Sequence, residues 1–89
     1  MKISEHELAG LASVGALRWA CENGTARRLR QAGRLHTTEV ARLLSVTPSA
    51  VSKWERGLRL PTERHAAAYL RLLERLNGGP LPEPAGVRL

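Results

Sequence analysis

Aromatic side chains are nearly missing from this 89-residue chain: there is no Phe, one Tyr and two Trp, 3% in all. A core must then be built from Leu, Val and Ala around the tryptophans. Cysteine is represented by Cys21 alone. Neither a disulfide framework nor a cysteine-rich zinc site can form within one chain, and Cys21 reads as a small packing residue in a reducing setting. No long apolar run occurs, and the opening "MKISEHELAG" places charges ahead of any apolar stretch. That argues against a membrane span and a secretory leader, with a cytoplasmic location as the expectation. His6, His36 and His65 fall in three segments without a second ligand at metal-binding spacing, so no metal or cofactor is expected. No Ser, Cys or carboxylate stands beside a plausible base, so an enzyme is not expected either. Lysine occurs only at positions 2 and 53.

What is present is arginine. The net charge of +6 rests mostly on planar guanidinium forks, which suit phosphate and favour a polyanionic partner. With 43% hydrophobic and 25% charged residues, the chain is ordinary globular material, long enough for one core.

Helical periodicity runs through most of the chain. Ser4 and Glu7 have capping-box spacing, and Leu8, Leu11, Ala12, Val14, Leu17 and Cys21 recur until Asn23 and Gly24 supply a stop, which predicts a first helix over roughly 5–22. Thr25 is suited to cap a second helix with apolar positions Ala26, Leu29 and Ala32, ending at Gly33 or Arg34. A third opens at His36 or Thr37, with Glu39 in its first turn and Val40, Ala41, Leu43 and Leu44 as its buried face. After the short connection Ser45–Val46, Thr47 caps a fourth helix with Pro48 in its first turn, and Gly57 ends it. Thr62 caps a last helix, Glu63 to about Leu76, with Ala66, Tyr69, Leu70, Leu73 and Leu76 apolar and a second line at Ala68 and Leu72. The fold class expected is all-α, a bundle of about five short helices. Residues 1–24 form an N-terminal helical extension, 25–77 the central domain and 78–89 an extended or mobile Pro/Gly-rich tail. Trp19 reads as core rather than as an exposed anchor.

Two short helices joined by so few residues must cross steeply, with small and branched groups in the inner angle. Ala41 sits at the closest approach, and Val40, Leu44, Val46, Val51 and Trp54 line the angle. Pro48, Ser49, Ser52, Lys53 and Arg56 are left pointing outward.

With "ARRLRQAGRL", "TTEVARLLSVTPSAVSKWERG" and "RLPT", residues 25–76 resemble the phage repressor and Cro-like (XRE-type) helix-turn-helix family, including its W-E-x-G…P ending at Trp54, Glu55, Gly57 and Pro61. The resemblance implies a lambda-repressor-like fold with an extra N-terminal helix, acting as a sequence-specific transcriptional regulator of the repressor kind on double-stranded DNA. The helix beginning at Thr47 would enter the major groove, with Pro48, Ser49, Ser52 and Lys53 facing base edges. Thr37, Thr47, Arg56 and Arg59, with Arg28 as a weaker candidate, would meet phosphates. Arg30 and Glu55 would form a structural ion pair, with Glu55 facing inward, supported by Ala41, Val51 and Trp54. The chain departs from the family pattern where Ser45 replaces a common Gly, which places Ser in a turn favouring positive φ, and where Thr37 replaces a common Gln. A homodimer through the N-terminal helix, the last helix or both is the expected assembly. The same segment resembles MerR-like and excisionase-like helix-turn-helices, which place a β-wing after the proline. A further alternative is an antitoxin-type module that also binds a protein partner through the first helix or the tail.

Overall fold

A computed structural model describes residues 3–82. Five helices follow one another: α1 (Glu5–Glu22), α2 (Thr25–Ala32), α3 (Thr37–Leu44), α4 (Pro48–Glu55) and α5 (Glu63–Asn77). There is no strand among the described residues. The part of the expected tail at residues 83–89 lies outside them.

Local side-chain chemistry sets most of the starts. The Ser4, Thr47 and Thr62 hydroxyls accept from the backbone N–H groups of Glu7, Ala50 and His65 at 3.2, 3.1 and 3.5 Å, each relieving a donor that the first helical turn leaves unpaired. At α3 the Glu39 carboxylate reaches back to the His36 N–H at 2.9 Å. The start of α2 differs from the expectation. Thr25 is already helical; Gly24 precedes it at φ 81°, and Asn23 Oδ1 accepts from the Thr25 N–H at 2.9 Å. Asn23 offers its carbonyl one residue past α1, so it turns the chain and serves the next helix together.

α1 and α5 form the most extensive pairing, and α2, α3 and α4 pack around them. The core comprises Leu17, Ala20 and Cys21 of α1, Ala26 of α2, Val40, Ala41 and Leu44 of α3, Val51 and Trp54 of α4, and Ala66, Tyr69 and Leu73 of α5. Ala68, Leu72 and Leu76 pack partly buried against it, as does Leu81, so the start of the expected extended tail is folded onto the body. Gly33, at the end of α2, lies so near α5 that an added Cβ would stand 2.7 Å from Leu76 Cδ2.

Several apolar residues face the other way. Leu43, expected on the buried face of α3, is 65% exposed, and Ala32 on α2 is exposed. The inward face of α2 instead combines Ala26 and half-buried Leu29 with Arg30, whose charge is neutralised inside the molecule. Leu8, Leu11 and Ala12 of α1 are also exposed, and Trp19 is half-buried rather than part of the central core. After Pro61 the chain enters α5, the arrangement of the repressor-like reading rather than of a β-wing.

Candidate nucleic-acid interface

The α3–α4 corner is closed at Ser45, which adopts φ 57°, ψ 45°, while the Val46 N–H donates to the Ala41 carbonyl at 2.9 Å. This hydrogen bond satisfies a carbonyl that the end of α3 would leave orphaned. Ala41, 1% exposed, allows the close crossing. From there Thr47 caps α4, and Pro48 takes its first position, where the absent N–H removes no helical bond.

The two faces of α4 are chemically distinct. Inward, Val51 and Trp54 are 0% and 4% exposed, each burial stabilising by roughly 1.5–3 kcal/mol. Trp54 stacks with His65 at a ring separation of 6.1 Å and lies 6.3 Å from Tyr69. Outward, Pro48, Ser49, Lys53 and Arg56 are exposed, and Ser52 is half-buried at the edge. Lys53, Arg56 and Arg59 form no ion pair among the described residues. Thr47 is exposed, but its hydroxyl is engaged in the cap; Thr37 is half-buried as the first residue of α3. Arg28 is turned back on its own corner, donating to the Asn23 carbonyl at 3.3 Å and to Thr25 Oγ1 at 3.2 Å. Arg59 lies beside a shallow groove shared with Arg18, Leu58 and Leu60.

One buried network fixes the angle of α4. Arg30 Nε and Nη2 donate to the two carboxylate oxygens of Glu55 at 2.7 and 2.9 Å, and Nη1 donates to the Leu35 carbonyl at 2.9 Å. Tyr69 Oη donates to Glu55 Oε2 at 2.6 Å. The Glu55 side chain is 5% exposed. A fork-to-fork pair has one orientation only, so α2, α4, α5 and the segment before α3 are held by directional bonds as well as packing. The hydrogen bond to Glu55 raises the Arg30 pKa although burial opposes it. Burial first, and the bond to Glu55 second, raise that of Tyr69, which remains a donor at neutral pH. Sequence reasoning missed Tyr69, taking it for one more member of an apolar stripe. The available signal was its hydroxyl, which when buried requires a partner.

Cys21 lies in the same core. Burial, then Glu55 and Glu22, push its thiol up to about 12, so it is protonated and unreactive at neutral pH. Among the described residues no three His, Cys, Asp or Glu side chains come together to hold a metal ion. No described helix is long and apolar enough to cross a membrane.

The family description helix-turn-helix domain matches residues 24–80, well over half the chain. The match begins at the Gly24 turn and runs through α5, so it includes the α3–α4 corner, the basic side of α4 and the Arg30–Glu55–Tyr69 network; α1 precedes it. No curated protein and no solved structure matches the chain.

Proposed function

Because the chain belongs to the helix-turn-helix domain family, a family related to the XRE-type DNA-binding domains, we propose that it is a sequence-specific, double-stranded-DNA-binding transcriptional regulator of the repressor kind. It acts in the cytoplasm by occupying an operator. The observation that carries this reading is the division of α4: Val51 and Trp54 are buried while Pro48 and Ser49 at its amino end and Lys53 in its last turn are exposed. In this reading α4 enters the major groove amino end first. Pro48 offers apolar contact to a thymine methyl, Ser49 and Ser52 donate or accept, and Lys53 donates to guanine O6 or N7. Arg56 and Arg59 meet phosphates beyond the helix, and Thr37 offers one its hydroxyl and the free N–H groups at the start of α3. Thr47 contributes mainly as the cap that aims α4, and Arg28 joins only by leaving its turn. The expected assembly on DNA is a homodimer, one copy on each half-site.

The reading is tested with duplexes selected from a random pool and measured by fluorescence anisotropy across salt concentrations. Lys53→Ala is expected to relax preference at one base pair, at a cost of about 1–3 kcal/mol there. Arg59→Ala is expected to weaken every duplex alike and reduce the salt slope by about one unit. Absence of any salt-dependent duplex binding by the folded protein would refute DNA recognition. Co-purification of a stoichiometric protein partner in that case would favour the antitoxin-type alternative.

A further inference from the structure

The solvent side of α5 is arginine. Of its 15 residues, Ala66, Tyr69 and Leu73 are buried in the core, and the exposed ones are Glu63 and Asn77 at the two ends with Arg64, Arg71 and Arg75 between them. Arg71 follows Arg64 by seven residues and Arg75 follows Arg71 by four, close to two turns and one. The three therefore form one row, about 16.5 Å long, opposite the core face. The small Ala67 and Ala68 stand within it, both half-buried, so no bulky apolar group separates the guanidinium groups.

No acid balances the row. The ion pairs among the described residues are Arg18–Glu22 and Arg30–Glu55, and neither involves α5. Glu63 leans onto α1, where its carboxylate occupies the space a side chain on Gly10 would need. Glu74 is half-buried and lines a groove with Ala12, Ser13 and Ala16 of α1; it also borders a shallow depression with Arg71 and Arg75 but pairs with neither. Arg71 and Arg75 are four apart, a spacing at which like charges repel and weaken a helix. Arg75 has a local use in the last turn, at the negative end of the helix dipole. Arg64, second in the helix, has the wrong sign for its end.

Three cations held against their own repulsion call for an anion from outside. A second copy is a poor fit, since two such rows would oppose arginine to arginine. A lipid surface is no better, because the apolar side of α5 is spent in the core and none is left beside the row to insert. Planar forks in a straight row suit the phosphates of a nucleic-acid backbone. Arg64 and Arg75 are far enough apart to reach the two backbones flanking a major groove about 12 Å wide. The row also points away from α4: Trp54 of α4 packs against His65 and Tyr69, and each arginine lies about a third of a turn or more around α5 from Tyr69.

We propose that the arginine row of α5 is a second, sequence-indifferent phosphate-binding surface for double-stranded DNA, separate from the outward side of α4. Its use rests on the DNA-binding reading: a chain seated on one duplex through α4 holds a second segment through α5 and so bridges the two.

Three charge variants of the full chain test this: Arg64→Gln/Arg71→Gln/Arg75→Gln on α5, Lys53→Gln/Arg56→Gln/Arg59→Gln around α4, and all six changes combined. The six positions are exposed, so circular dichroism is expected to show every variant folded. Duplex-coated beads are mixed with protein and a free labelled duplex at about 150 mM salt, where a screening length of about 8 Å confines losses to direct contacts. The original chain should hold labelled duplex on the beads. The α5 variant should hold at least about tenfold less, while binding a single short duplex by anisotropy within about threefold of the original. The α4 variant should keep weak binding to random duplex at low salt, with a slope of log K against log salt of about −2.7, which the combined variant loses. Bridging that survives in the α5 variant overturns the proposal, and so does poly-glutamate binding the α4 variant as tightly as duplex, which would assign the row to an acidic protein. An α4 variant that binds no better than the combined one removes the α5 surface and leaves the α4 reading standing. An α5 variant that binds no duplex beside an unimpaired α4 variant does the reverse, and a chain that binds no duplex at all overturns both.

Discussion

Ser45 carries backbone strain at the α3–α4 corner. Its φ of 57° places a residue with a Cβ in the left-handed region at the end of α3, a conformation that costs an ordinary L-residue about 1–2 kcal/mol. It persists because the chain must reverse there within two residues to bring α4 across Ala41, and the Val46-to-Ala41 hydrogen bond fixes the reversal. Glycine relieves the clash but gives the unfolded chain more freedom, so only part of the cost is recoverable. Ser45→Gly is expected to stabilise the fold by about 0.5–1 kcal/mol. Thermal unfolding should register this as a rise of a few degrees, since about 1 kcal/mol shifts Tm by about 4–8 °C in a domain of this size. Base preference should not change, because Ser45 lies outside the exposed side of α4. A fall in Tm would show that the Ser side chain contributes a contact that outweighs the strain. Arg34, at φ 58°, is under the same constraint, but replacing it also removes a charge, so Ser45 is the cleaner test.

Between elements, the decisive contact is the carboxylate of Glu55, shared by an arginine from α2 and a tyrosine from α5. Its members are not equivalent. Glu55→Ala leaves the Arg30 guanidinium buried with only the Leu35 carbonyl, a loss of about 3–5 kcal/mol. Tyr69→Phe keeps the ring and removes one bond to a charged acceptor, about 1.5–3 kcal/mol. Urea unfolding should order the variants accordingly, and equal losses would mean that the hydroxyl, not the ion pair, anchors α4. The ion pair was legible through the family resemblance, and the caps at Ser4, Thr47 and Thr62 through spacing alone, because a cap is a contact over three residues. Tyr69 was not, because its partner is 14 residues away on another helix. The outward placement of Leu8, Leu11 and Ala12 and of Leu43 was hidden for a different reason. Periodicity detects apolar residues at helical intervals, but a helix that is apolar on two sides fits the pattern from either side, and only packing chooses.

On the proposed DNA-binding reading, the molecule taken as a body has more charge than reading edge. Net charge is +6, and Lys53, Arg56 and Arg59 are exposed around α4 with no ion pair among the described residues. The edge they surround is a proline and two serines. Phosphate attraction is indifferent to sequence, whereas short hydroxyls and a pyrrolidine ring discriminate base pairs weakly, so on that reading much of the specificity would come from duplex shape or a second copy. Two consequences can be measured together by anisotropy. Three cations near phosphate give a slope of log K against log salt of about −2.7 for each copy. The affinity ratio between a selected site and random duplex should lie near the lower end of the usual range, about a thousandfold. If two copies share one duplex, the selected site should be an inverted repeat, and the slope per duplex should double relative to a half-site. The repeat centres should lie about 34–36 Å apart or at a multiple of that spacing, since both α4 helices must enter the groove on one face of the DNA. A steep sequence preference on an isolated half-site would contradict this balance, for it would require Pro48, Ser49, Ser52 and Lys53 to discriminate bases far better than their chemistry allows.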